Sequence, residues 1–223
     1  MSATHVRHHN SVLAAAEKRA LIWIASRLPR WINSDHLSML GLSAMAGAGI
    51  SFWIAGTDPV AGAGLVVLCL VLNWFGDSLD GTLARVRDQQ RPRYGYYVDH
   101  VIDLAGTAML FAGLAASGYM SVTIATLVVA AFFLVSAETY LATHARGVFK
   151  MAFGGVGPTE LRLLLAAGAL ALITTPIVEP FGLGPFRLWD VGGIIGATGM
   201  LVTFVISSGL NTRALYLEET RPR

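Results

Sequence analysis

Cysteine and charge are what this chain has least of. Its 223 residues include one cysteine, Cys69, set inside an apolar run. No disulfide framework and no cysteine zinc site can form within one chain. Charged residues make up 13% against 54% hydrophobic, about half the charged fraction of an ordinary soluble domain. The start of the chain has no apolar core. His5, Arg7, His8, His9 and Asn10 make it polar, so a cleaved signal peptide is not expected. The three histidines sit on a tail expected to be disordered over residues 1–10, which offers no fixed metal geometry. There is no internal repeat and no linker to a second domain.

Long apolar runs account for the missing charge. They read as Ser38–Gly56, Ala61–Phe75 (continuing helically toward Leu83), Val101–Ala116, Val122–Thr143, Leu161–Ile177 and Val191–Leu210. A spanning helix needs roughly 17–25 mainly apolar residues. The shorter runs reach that with their amphipathic flanks. The expectation is an all-α integral membrane protein with six transmembrane helices. An even number of spans puts both termini on one side. The basic residues are strongly one-sided across these spans. Arg7, Lys18, Arg19, Arg27 and Arg30 precede the first span, and Arg85, Arg87, Arg91 and Arg93 lie between the second and third. Arg146, Lys150 and Arg162 lie between the fourth and fifth, and Arg213, Arg221 and Arg223 close the chain. The opposite side holds Arg187 alone. This places both termini and the loop after the second span in the cytoplasm. Such a basic face suits anionic headgroups and anionic substrates, and no nucleic-acid partner is expected.

Before the first span, Leu13, Leu21, Ile22, Ile24 and Leu28 form an apolar stripe among Glu17, Lys18, Arg19 and Arg27. That pattern predicts an amphipathic helix lying in the interface, ended or turned by Pro29. Residues 1–33 therefore read as a tail plus a juxtamembrane helix, and 34–223 as the transmembrane catalytic domain. Turns are expected at Thr57-Asp58-Pro59 and Ser117–Met120, and a longer outer loop at Glu179–Asp190. Trp23, Trp31, Trp53, Trp74 and Trp189 fall near the proposed interfaces. Glycines such as Gly192, Gly193 and Gly196 read as helix packing.

Four carboxylates carry the chemistry. Asp77 and Asp80 are three residues apart, and Asp99 and Asp103 are four apart. On helices, each pair points to one face. Brought together in a low dielectric, four carboxylates repel, and divalent cations with oxygen ligands relieve that repulsion. Gly81, Ala84 and Gly95 leave room for a bulky ligand near the backbone. Arg85 presents a fork suited to phosphate oxygens. The stretch reads as metal plus phosphate at a membrane surface.

Written out, it is Asp77-x2-Asp80-Gly81-x2-Ala84-Arg85, nine residues, then Gly95-x3-Asp99-x3-Asp103. It resembles the signature of the CDP-alcohol phosphotransferase family, with all eight fixed residues present. The spacer Val86–Tyr94 is one residue longer than the family pattern, and a polar, Pro92-containing connection there absorbs the addition. The resemblance implies transfer of a substituted phosphate from a CDP-alcohol to a second alcohol, with release of CMP. It implies Mg2+ or Mn2+, two ions, held by Asp77, Asp80, Asp99 and Asp103. Asp103 is the implied general base, and Gly81, Ala84, Arg85 and Gly95 line the cytidine-diphosphate site. The implied partners are lipid and CDP-alcohol substrates and a second copy of the chain in a homodimer.

The donor and acceptor stay open at this point. Arg146, Lys150, Arg162 and Arg213 would make a pocket for a phosphorylated acceptor beside a CDP-diacylglycerol donor, or they simply reflect positive-inside topology. His100 makes an Asp-His-x2-Asp sequence similar to the choline/ethanolamine branch. It either contacts substrate or sits at headgroup level. Glu138, inside the fourth span, should face the bundle interior, to pair with an arginine or meet a cationic headgroup. Glu160, in a Gly-Pro-Thr-Glu stretch that also looks like the aminoalcohol branch, shares the rim with Arg162. Thr159 is the expected cap of the fifth helix, with Pro158 in its first turn. Two other classes fit less well. A prenyltransferase-like enzyme would carry a second, distant Asp-rich motif. A divalent-cation transporter would place its acids near mid-membrane.

Overall fold

A computed structural model describes residues 12–147, 157–182 and 184–219. The N-terminal tail, Lys150, Arg221 and Arg223 lie outside these residues. Among the described residues seven α-helices run in order: α1 (Val12–Ala25), α2 (Ser34–Ala55), α3 (Pro59–Val86), α4 (Pro92–Ala116), α5 (Val122–Arg146), α6 (Pro158–Ala171) and α7 (Leu188–Glu218). Between α6 and α7, β1 (Ile177–Val178) pairs antiparallel with β2 (Phe186–Arg187) around a short 3-10 turn.

Local chemistry sets the helix starts. The Asn33 side chain accepts from the His36 amide, and His36 Nδ1 accepts from the Asn33 amide, which satisfies two orphan donors at the head of α2. Asp58 caps α3 through the Ala61 amide, with Pro59 as its first residue. Ser121 caps α5, and Gly147 ends it at φ 66°, a left-handed conformation that suits glycine. The connection between α3 and α4 turns through Asp88, whose φ is 54°. Asp is among the few non-glycine residues that tolerate this.

Five helices, α2, α3, α4, α5 and α7, are long and apolar enough to cross a membrane among the described residues. The sixth expected span differs. Helix α6 has 14 residues, about 21 Å at ~1.5 Å per residue, short of a bilayer core of about 30 Å. The apolar run continues to Ile177, but Thr174-Thr175-Pro176 ends the helical path. Proline lacks the N–H and disfavours α geometry in the residue before it. Sequence predicts only a loop where the hairpin that follows forms. Helix α6 also differs at its start. Gly157, not Thr159, is the N-cap, and the Glu160 carboxylate accepts from the Gly157 amide at 3.0 Å.

Helices α2, α3 and α4 form the hub, and glycine lets them meet. A Cβ on Gly113 of α4 would lie 2.0 Å from the Gly49 carbonyl oxygen of α2, and one on Gly76 of α3 would lie 2.6 Å from the Leu37 carbonyl oxygen. Backbone contact this close brings the polar ends of the three helices into one place. Around it, Phe52, Val66, Leu110, Leu114 and Met120 form the main buried cluster, with Trp189 edge-on to Phe52. Helix α1 packs Leu21 and Ala25 on Leu37, Leu79 and Leu83. The Arg87 guanidinium, just past α3, donates to the carbonyls of Leu28, Pro29 and Ile32, which pins the segment after α1.

Gly113→Val should lower stability by about 2 kcal/mol or more, the scale of an overpacked core. Gly192→Ala, with open space around that position, should leave stability unchanged or slightly raised. Thermal unfolding of both variants in detergent checks the pair.

Candidate active site

The motif aspartates sit on α3 and α4, near the hub. One oxygen each from Asp77, Asp99 and Asp103 lies within 4.8 Å of the others, and all three side chains are partly buried. Hard carboxylate oxygens at this spacing fit a divalent cation. Asp80 stands beside them but is differently engaged. One of its oxygens accepts from Ser38 Oγ at 2.7 Å, and the other accepts from the Gly81 amide. Ser34 Oγ donates to the Asp80 carbonyl at 2.8 Å. The start of α2 thereby holds the Asp80 end of the motif. A small cavity bounded by Gly41, Asn73, Asp77 and Asp103 shares Ser38, Asp80 and Asp99 with a larger, open cleft.

That cleft is lined by Ser34 and Asp35 of α2, Gly81 and Ala84 of α3, and Gly95 of α4. Three of the four residues expected at the cytidine-diphosphate site therefore face one space. A Cβ on Gly95 would meet nothing within 4 Å, so the backbone there is open to a ligand. Arg85 is different: it is exposed, and its Nη2 donates to Thr82 Oγ1 at 3.0 Å on its own helix. The arginine that lines the cleft is Arg91, which sequence leaves in the connecting loop. Its guanidinium pairs with Asp35 at 2.5 Å and lies 4.1 Å from the Tyr94 ring centroid. The Asp35 carboxylate raises the Arg91 pKa above its usual value.

Of the residues expected at an acceptor pocket, the structure brings one to the aspartates. Arg162 of α6 donates from Nη2 to Asp77 Oδ2 at 2.6 Å and from Nε to Asn73 Oδ1 at 2.7 Å. Arg146 belongs to a second network between α5 and α7. Its Nη1 donates to Asn211 Oδ1 at 2.6 Å, and Nη2 stands 3.6 Å from Glu218. Asn211 Nδ2 and Ser207 Oγ both donate to the buried Glu138 carboxylate, at 2.6 and 2.8 Å. Glu138 does face the bundle interior, but its partners are an amide and a hydroxyl. His100 is buried against Tyr96 and Tyr140, with ring centroids 4.1 and 4.6 Å away. Its Nδ1 lies 2.5 Å from the Tyr96 carbonyl oxygen, which can only accept, so Nδ1 carries the hydrogen. Arg213 is exposed on α7, and Glu160 is spent on the α6 cap. Sequence reasoning passes over Asn73, whose signal is an amide inside an apolar span four residues before Asp77.

A family model for CDP-alcohol phosphatidyltransferases matches residues 35–205, which includes every motif residue. The chain belongs to this family. As a CDP-alcohol phosphatidyltransferase it is a membrane enzyme of phospholipid synthesis. Its fold is similar to that of phosphatidylinositol phosphate synthase from Mycobacterium tuberculosis, whose crystal structure holds CDP-DAG. The TM-score is 0.64 at 21% identity, over 86% of this chain and 94% of that one. No curated protein matches the sequence.

Asp99→Asn should weaken Mn2+ binding by at least about tenfold, because one carboxylate of the cluster loses its charge. Glu160→Ala should leave Mn2+ binding intact and cost about 1 kcal/mol of stability, as a lost helix cap does. Mn2+ titration followed by electron paramagnetic resonance, with thermal unfolding of the same samples, checks both.

Proposed function

We propose that the chain transfers a phosphatidyl group from CDP-diacylglycerol to an alcohol and releases CMP. The observation that carries this is one cleft walled by Gly81, Ala84 and Gly95, opening beside a carboxylate cluster of Asp77, Asp99 and Asp103. The donor assignment is supported by the CDP-DAG in the similar fold.

The diphosphate lies in the cleft, its backbone approach opened by Gly81 and Gly95. Asp77, Asp99 and Asp103, with Asp80 alongside, would hold Mg2+ or Mn2+, as one or two ions. When bound, the metal neutralises charge on the phosphate under attack and on the departing CMP. The acceptor oxygen forms a bond to the lipid-bearing phosphorus as the bond from that phosphorus to the CMP oxygen breaks. The Asp103 carboxylate takes the acceptor's hydroxyl proton. Arg91, charged and at the mouth, can trade its exposed pairing with Asp35 for diphosphate oxygens, since exposed ion pairs contribute little.

Residues 34–223 form one catalytic unit in this reading. Helix α6 and the hairpin after it make a sixth, short crossing, which returns α7 to the basic side. Both termini and the cleft are cytoplasmic, as the distribution of Lys and Arg favours. Helix α1 lies in the interface, with Ile22 and Trp23 exposed beside Arg19 and Arg27. The protein works as a homodimer.

CMP release from vesicles containing the purified protein tests the reading. CDP-diacylglycerol with Mg2+ or Mn2+ should yield CMP with one of glycerol phosphate, inositol phosphate, inositol or serine. Asp103→Asn should lower turnover by at least about a hundredfold, the scale of lost general-base catalysis. CMP from CDP-choline and diacylglycerol alone would move the enzyme to the aminoalcohol branch. Near-normal turnover in Asp103→Asn would remove that residue from proton transfer.

A further inference from the structure

Asn73 is buried at 7% exposure, one helical turn before Asp77 on the same face of α3. A primary amide inside a membrane span is costly unless all its polar atoms are used. Here both ends are used, and by partners that permit only one orientation. Its Nδ2 donates to the Gly41 carbonyl oxygen of α2 at 3.0 Å. Its Oδ1 accepts from Arg162 Nε of α6 at 2.7 Å. A guanidinium has no acceptor and a carbonyl has no donor, so the amide cannot flip. The same guanidinium reaches on to Asp77 Oδ2 at 2.6 Å, with only 15% of the Arg162 side chain exposed.

A chain of hydrogen bonds therefore runs from the α2 backbone through Asn73 and Arg162 to one oxygen of Asp77. Held by the ion pair alone, the Arg162 fork would be free to turn about the carboxylate. Held also at Nε, its plane is set, and with it the plane of the Asp77 carboxylate. Oδ2 accepts from Arg162, and the carboxylate keeps acceptor capacity for an ion. Groups that orient a ligating carboxylate in this way control metal affinity as strongly as many ligands do.

We propose that Asn73 is a positioning residue for the metal centre, acting through Arg162 to present Asp77 in one orientation. The proposal rests on the reading of the Asp cluster as a metal site. It gives Arg162 a place in the centre itself, apart from any contact with the acceptor.

The test is Mn2+ affinity of the full-length protein in nanodiscs, read by electron paramagnetic resonance. The variants are Asn73→Ala, Arg162→Met, the double variant and Asp77→Asn. Asn73→Ala changes no charge, so simple electrostatics predicts unaltered affinity, whereas positioning predicts a loss of about tenfold or more. The double variant should match Arg162→Met alone, since Asn73 acts only through Arg162. Unchanged or tighter binding in Asn73→Ala overturns the proposal, even where stability falls, and so do losses that multiply in the double variant. If Asn73→Ala does not fold, the sign in Arg162→Met decides. Removing a nearby cation by itself tightens Mn2+, so weaker binding supports the brace and tighter binding overturns it. Asp77→Asn separates the two readings. Mn2+ binding unaffected there removes the metal assignment of Asp77, whereas a loss there beside normal binding in Asn73→Ala removes only the brace.

Discussion

Three carboxylates held with oxygens within 4.8 Å of one another are the constraint on which the rest depends. At an effective dielectric of ~20, each charged pair at that separation repels by roughly 3 kcal/mol. An apolar bundle does not adopt this arrangement to gain stability. It needs positive charge nearby, and it supplies one in Arg162, which neutralises one side of Asp77. The remaining charge is an opening for a divalent cation. The polar cost is met by rigid partners on two other elements, α2 and α6. Ser38 engages Asp80, Gly41 holds Asn73, and Asn73 with Asp77 receives Arg162.

Such partners are useful only if the helices carrying them cannot drift. Close glycine contacts provide this where α2 meets α3 and α4. Gly76 lies against Leu37 and Gly41, next to the turns that carry Ser38 and Asp77. The backbone approach therefore fixes the distance across which Ser38 and Asp80, and Gly41 and Asn73, form their bonds. The α5–α7 side is held by a separate polar seam, Glu138 with Ser207 and Asn211 and then Arg146. The two networks leave Arg146 and Arg162 serving different helix pairs. The hub orders the carboxylate cluster, while the seam holds α7, an apolar helix that is mostly exposed, onto the bundle.

Much of this was legible in the sequence because it is local. The apolar runs locate five long helices, and the Asp-Pro, Ser and Gly punctuation locates their turns. The eight motif residues identify the family because their spacing is itself the chemistry. Long-range pairings were not legible. Nothing local distinguishes Arg162, which crosses to Asp77, from Arg146, which crosses to Asn211. Glu160 reads as a rim carboxylate until the Gly157 amide is seen beside it. Asn73 is hidden because an amide in an apolar run has no fixed spacing to its partners on α2 and α6. The helical part of the sixth apolar run is shorter than the run itself, because hydropathy carries the pattern through Ile177 while Pro176 and two β-branched threonines end the helix earlier.

On the proposed reading, the fold holds a divalent ion among Asp77, Asp99 and Asp103 beside the cleft. Anomalous scattering from crystals of the protein grown with Mn2+ tests it most directly. The account predicts a peak within coordinating distance of oxygens from all three aspartates, on the side of Asp77 away from Arg162. A well-ordered structure with no peak there, or with Mn2+ bound only elsewhere, would contradict it.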